Sequence, residues 1–97
     1  MRMMVKITIG AADGSRALKD GSMAQIMENF AATHKPESAY FGVENGERTA
    51  YYVIDMTDVS QMPAIAEPSF AGLNARISFT PVMNAEELRA GLQKLFK

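Results

Sequence analysis

Apolar and polar residues alternate from Met3 to Ile9, with Met3, Val5, Ile7 and Ile9 apolar and Lys6 and Thr8 between them. A period of two belongs to a half-buried strand, so this segment is predicted as the first β-strand. "GAADGS" breaks the alternation, and a short helical turn is expected around Ser15–Lys19, interrupted at Gly21. From there the period lengthens. Met23, Ile26, Met27 and Phe30 recur at helical spacing, and Ser22 and Gln25 stand at the spacing of a capping box. Pro36 stops this helix, because the residue before a proline avoids helical angles.

The run "AYFGVENGERTAYYVIDM" is two β-rich segments around Asn45-Gly46, the preferred pair for a two-residue type I′ turn. Counting outward from that turn pairs Glu44 with Glu47 and Tyr40 with Tyr51. On the opposite face it sets Phe41 against Ala50 and Ala39 against Tyr52. A second helix opens at Asp58 and Ser60, with Pro63 tolerated in its first turn. Its apolar stripe of Met62, Ile65, Ala66, Ser69, Phe70 and Leu73 continues past Pro68, which predicts one kinked helix. Glu67 lies roughly 140° from Met62 at 100° per residue, away from that stripe and toward solvent. Ala75, Ile77 and Phe79 then alternate with polar residues in a last strand. Asn84 caps a C-terminal helix with Glu87 at the box position, and Leu88, Leu92, Leu95 and Phe96 form its stripe.

The order β-α-β-β-α-β-α predicts a ferredoxin-like α+β fold, a four-stranded antiparallel sheet with helices on one face and an extra C-terminal helix. Alternation assigns Val5, Ile7, Ile9, Phe41, Val43, Tyr52, Ile54, Ile77 and Phe79 to the face under the helices. The other face collects Lys6, Thr8, Ser38, Tyr40, Tyr51, Val53, Asp55, Arg76 and Ser78. A Tyr40–Tyr51 pair at the centre of an open sheet marks a surface that something covers, a ligand or a second copy of the sheet.

Composition narrows the chemistry. Residues 1–97 are expected to form one domain, and 47% hydrophobic with 22% charged residues is ordinary for a globular chain. The formal net charge is -1 with charges of both signs dispersed, so no basic patch points to nucleic acid or an anionic membrane. Cysteine is absent, which removes disulfides, thiolate catalysis and zinc–sulfur sites. The opening residues read as a strand and not as a signal peptide, since Lys6 interrupts the apolar run; a cytoplasmic location is expected. Met3, Met4, Met23, Met27, Met56, Met62 and Met83 fall at core-like positions on separate elements, so they read as adaptable packing and not as a soft-metal site. No metal and no cofactor is expected.

The segments "KPESAYFGVENGERTAYYVIDM", "MPAIAEPSFAGLNARI" and "TPVMNAEEL" resemble a bacterial domain-of-unknown-function family within the dimeric α/β-barrel superfamily. The resemblance covers nearly the whole chain. It implies two ferredoxin-like protomers with their sheets face to face, hence a homodimer. It also implies a range of activities, among them cofactor-independent oxygenases, isomerases, haem-dependent proteins and members without a known reaction. The haem branch holds iron through a histidine, and His34 is the one histidine of the chain, at a predicted helix end. There it reads better as a cation favoured by the helix C-terminus than as a haem ligand or general base.

Lys6, Tyr40, Tyr51, Asp55 and Arg76 are the candidate ligand-binding residues. Two cations could grip a carboxylate or enolate while a tyrosine hydroxyl donates to it. The competing account is a polar network across a dimer interface, with Asp55 neutralising one cation. Glu86 and Glu87 occupy the first turn of a helix, and Glu44 and Glu47 flank a hairpin turn where they should be solvated. No phosphate-cradling glycine run occurs. RNA-recognition domains also expose sheet aromatics, but "ERTAYYVID" has only Arg48 where they carry a basic-glycine-aromatic run. Two functions follow: a homodimeric small-molecule-binding protein of the oxygenase or isomerase type, or a non-catalytic dimeric module with structural or sensing duties.

Overall fold

The computed structural model describes residues 1–96. In order they form β1 (Arg2–Ile9), α1 (Ala11–Asp20), α2 (Ser22–His34), β2 (Ser38–Glu44), β3 (Glu47–Asp55), a 3-10 turn (Val59–Gln61), α3 (Met62–Leu73), β4 (Arg76–Pro81) and α4 (Ala85–Leu95). The four strands make an open antiparallel sheet in the order β2-β3-β1-β4. This α+β arrangement is compatible with the ferredoxin-like expectation.

The hairpin forms in the register that its turn dictates. Asn45 and Gly46 both take positive φ, 53° and 76°, and Tyr40 pairs with Tyr51, Phe41 with Ala50 and Ala39 with Tyr52. β1 buries its odd residues, and Val5, Ile54, Met56 and Leu73 are among the most enclosed side chains of the core. α3 runs through Pro68 and buries Ile65, Ala66, Ser69 and Leu73, while Glu67 is exposed. Its entrance is a capping box: Asp58 accepts from the Ser60 amide, and Gln61 Oε1 accepts from the Asp58 amide at 3.1 Å. Asn84 and Glu87 form the expected box at α4, each backbone-to-side-chain bond 2.8 Å long.

Several expectations are corrected. α1 is a ten-residue helix and not a turn around Ser15. Ser22 does not cap α2: the cap position is Gly21, and Asp20 Oδ1 takes the Ser22 amide at 2.9 Å, leaving the Ser22 hydroxyl buried without a partner. Phe70 lies on the α3 stripe but is exposed, as is Met83, and Met4 lies on the outer sheet face with the even residues of β1. Phe41 and Val43, expected beneath the helices, are 58% and 76% exposed. β2 is an edge strand that the helix layer does not reach, so the apolar face continues past its cover. α4 is exposed along its whole length, Leu88, Leu92 and Leu95 included. No helix among the described residues is long and apolar enough to cross a membrane.

Candidate functional site

The outer sheet face is organised in rows set by strand register. One row runs Tyr40, Tyr51, Lys6, Ser78 across β2, β3, β1 and β4; the next runs Gly42, Thr49, Thr8, Arg76. Three of the five candidates, Lys6, Tyr40 and Tyr51, are therefore neighbours, with Arg76 one row away. Asp55 is not among them. It sits at the opposite end of β3, where its Oδ1 accepts from the Met1 ammonium at 2.9 Å, and that contact holds its carboxyl below the usual range. It neutralises neither Lys6 nor Arg76.

The hairpin glutamates do that work. One carboxylate oxygen of Glu44 pairs with Lys6 Nζ and the other accepts the Tyr51 hydroxyl at 2.8 Å. Glu47 pairs with Arg76. Both glutamates are half-buried by these contacts and not solvated as their place beside a turn suggested. The charges stabilise each other: the bond from Lys6 and then that from Tyr51 lower the Glu44 pKa, while Glu44 raises those of Lys6 and Tyr51. A phenol whose proton is held by a carboxylate is a poor acid, so Tyr51 in this state is a hydrogen-bonded element of the sheet face and not a proton source. Tyr40, 69% exposed, projects beside it.

An apolar pocket lies on the other side of the sheet. With a volume of about 270 Å³, it opens between α1, α2 and α3 and the sheet at the hairpin end. Ile7, Met23, Ile26, Met27 and Leu73 line its depth, and the exposed Leu18 and Phe41 stand at its mouth. None of Lys6, Tyr40, Tyr51, Asp55 and Arg76 borders it. The polar residues with side chains on this face are Arg48, Tyr52 and Ser69.

No family model matches the chain, and neither a curated protein nor a solved structure matches it.

Two features of the pocket wall are chemically distinctive. Tyr52 stacks on Phe30 at 4.3 Å between ring centres and meets Phe41 edge-on at 5.8 Å; burial raises its pKa, so the ring stays a neutral phenol. Phe30 in turn meets His34 at 4.8 Å. Burial pushes the His34 pKa down, so the imidazole is held neutral against an aromatic ring, and not favoured as the helix-terminal cation that its position suggested. Arg48 is the second feature. Its alternation with Ala50, Tyr52 and Ile54 places it on the helix-side face, and a charged residue in phase with the core was the signal available in the sequence.

Among the described residues no group of three or more His, Asp or Glu side chains could hold a metal ion.

Proposed function

We propose that the chain is the protomer of a homodimer that binds a small molecule, the ligand held between the helix layer and the sheet and the partner covering the outer sheet face. The observation that carries the ligand is the 270 Å³ pocket, apolar in depth and bordered by a few polar groups. Clefts that take drug-sized ligands run from about 300 Å³ upward, so this one suits something smaller. Its aromatic wall of Phe41 and Tyr52 gives a flat or hydrocarbon ligand a surface to pack on.

The dimer rests on separate observations. Exposed Tyr40 stands beside half-buried Tyr51, Met4 and Val53 on a face that no helix among the described residues buries, and a second sheet turned on a twofold axis would bury it. The resulting assembly is a dimeric α/β barrel. The Lys6–Glu44–Tyr51 and Arg76–Glu47 groups are neutralised within one chain, which suits an interface better than a site for an anionic substrate. That neutralisation favours a second reading for the outer face alone: a structural seam, with no chemistry performed there.

Sedimentation equilibrium at micromolar concentration tests the assembly; a dimer is expected, and a monomer overturns the barrel. A thermal-shift screen of small metabolites tests the pocket, with stabilisation by an apolar compound expected in the wild type and lost in Met27→Trp, which fills the space. If no compound stabilises the wild type, the binding reading falls.

A further inference from the structure

Arg48 is the one arginine or lysine bordering the pocket, and among the described residues it makes no ion pair. Its hydrogen bonds are long: Nη1 to the Ala11 carbonyl and Nη2 to Ser15 Oγ, each 3.4 Å. A guanidinium carries five N–H donors in a planar fork, and bonds beyond about 3.2 Å engage them weakly. Among the described residues none of the acids on adjoining segments pairs with Arg48. Asp13 of α1 accepts from Asn74 Nδ2 at 3.3 Å, and Glu47, next to Arg48 in the chain, pairs with Arg76 on the far face.

The fold also makes room for this group. A Cβ at Gly14, buried in α1, would lie 2.7 Å from Arg48 Nη1, so a side chain there would make the guanidinium shift from its place against the helix. An arginine stays charged under all ordinary conditions, and a half-buried charge without a counter-ion leaves an anion strongly favoured in its place. A carboxylate matches the fork with two parallel bonds.

We propose that the pocket takes a small apolar carboxylic acid, its hydrocarbon part among Met23, Ile26, Met27 and Leu73 and its carboxylate on the Arg48 guanidinium. This rests on the reading of the pocket as a ligand site and adds the class of ligand. The arrangement is that of an amphipathic guest: an apolar cleft removes the hydrocarbon from water, and one cation fixes which end faces out. A neutral isostere would leave the guanidinium desolvated and unpaired, so the cation serves as the device of selection.

Octanoate and 1-octanol separate the two layers of the proposal, with the methyl resonances of Met23 and Met27 reporting on the pocket itself. Both compounds are expected to shift these methyls, octanoate binding at least tenfold more tightly. Arg48→Met should remove that preference while leaving octanol affinity within twofold, which also shows that the variant is folded. Arg48→Lys should retain part of the preference, since it keeps charge but loses the fork. If octanoate and octanol bind the wild type equally, or Arg48→Met leaves the preference intact, the carboxylate anchor is overturned and the pocket stands. If neither compound moves the Met23 or Met27 methyls, the ligand site falls and the anchor with it.

Discussion

The Tyr51 hydroxyl donates to Glu44 Oε1 at 2.8 Å, and the opposite oxygen of the same carboxylate meets Lys6. Lys6 lowers the Glu44 pKa more than Tyr51 does, so Lys6→Met should raise it toward the ordinary glutamate value by more than Tyr51→Phe. A carboxylate with a depressed folded pKa stabilises the fold above its unfolded value and loses that contribution as pH falls through the folded one. Lys6→Met should therefore lower stability at neutral pH and flatten the part of the acid dependence that Glu44 contributes. Carboxyl-carbon NMR titration of Glu44 checks the order; equal shifts, or none, would mean that the three groups do not share a network in solution.

His34 gives a second acid-side dependence with the same sign and a different window. Its imidazole is held neutral by burial beside Phe30, whereas the unfolded chain takes up the proton below about pH 6.5. The unfolded state then binds more protons, so stability should fall as pH drops from 6.5 through the lower folded pKa. His34→Gln, which cannot titrate, should flatten that part of the curve of urea midpoint against pH and leave the more acidic Glu44 region in place. An unchanged slope above pH 5 would rule His34 out as its source.

Two leucines on helical stripes should behave oppositely. Leu73 is enclosed by the core, so Leu73→Ala is expected to cost about 2–5 kcal/mol in urea unfolding. Leu92 is exposed on α4, and Leu92→Ala should cost less than about 0.5 kcal/mol where the chain is monomeric. A large cost for Leu92→Ala in the monomer would place α4 against the chain's own core.

Gly72 reverses a common rule. Alanine in a helix interior is favoured over glycine by about 1 kcal/mol. Here a Cβ would lie 2.5 Å from Ile26 Cδ1, and overpacking of this kind costs about 1–3 kcal/mol. Gly72→Ala should therefore destabilise by about 1 kcal/mol, the difference of the two effects. Ile26→Val removes the offending methyl, so Gly72→Ala made in that background should be neutral or stabilising. A double-mutant cycle without coupling would show that Ile26 simply rotates away.

The candidate site was legible in unequal parts. Tyr40 and Tyr51 came out as a pair because the Asn45-Gly46 turn leaves the hairpin one register, whereas alternation placed Lys6 only on the same face and the β1–β3 register made it their neighbour. Asp55 was assigned to the right face and the wrong company: its partner is the chain's own amino terminus, remote in sequence. Glu44 and Glu47 looked solvated because a turn is local, whereas the cations that recruit them arrive on β1 and β4. Arg48 was visible as a charge in phase with the core, but its lack of an ion pair among the described residues depends on where the acids of the fold end up.

Periodicity, turn chemistry and capping residues by themselves determined the strands, the helices through Pro68 and into α4, the hairpin register and the sorting of side chains between two faces. Each depends on residues a few positions apart, and so can be read along the chain. Tertiary structure alone decided that Phe41 and Val43 outrun their cover, that Glu44 bridges Lys6 and Tyr51, and that a pocket opens beside Arg48. Those outcomes depend on how far a helix layer reaches across a sheet and which charges meet there, and pairings between distant segments are not encoded in any local period.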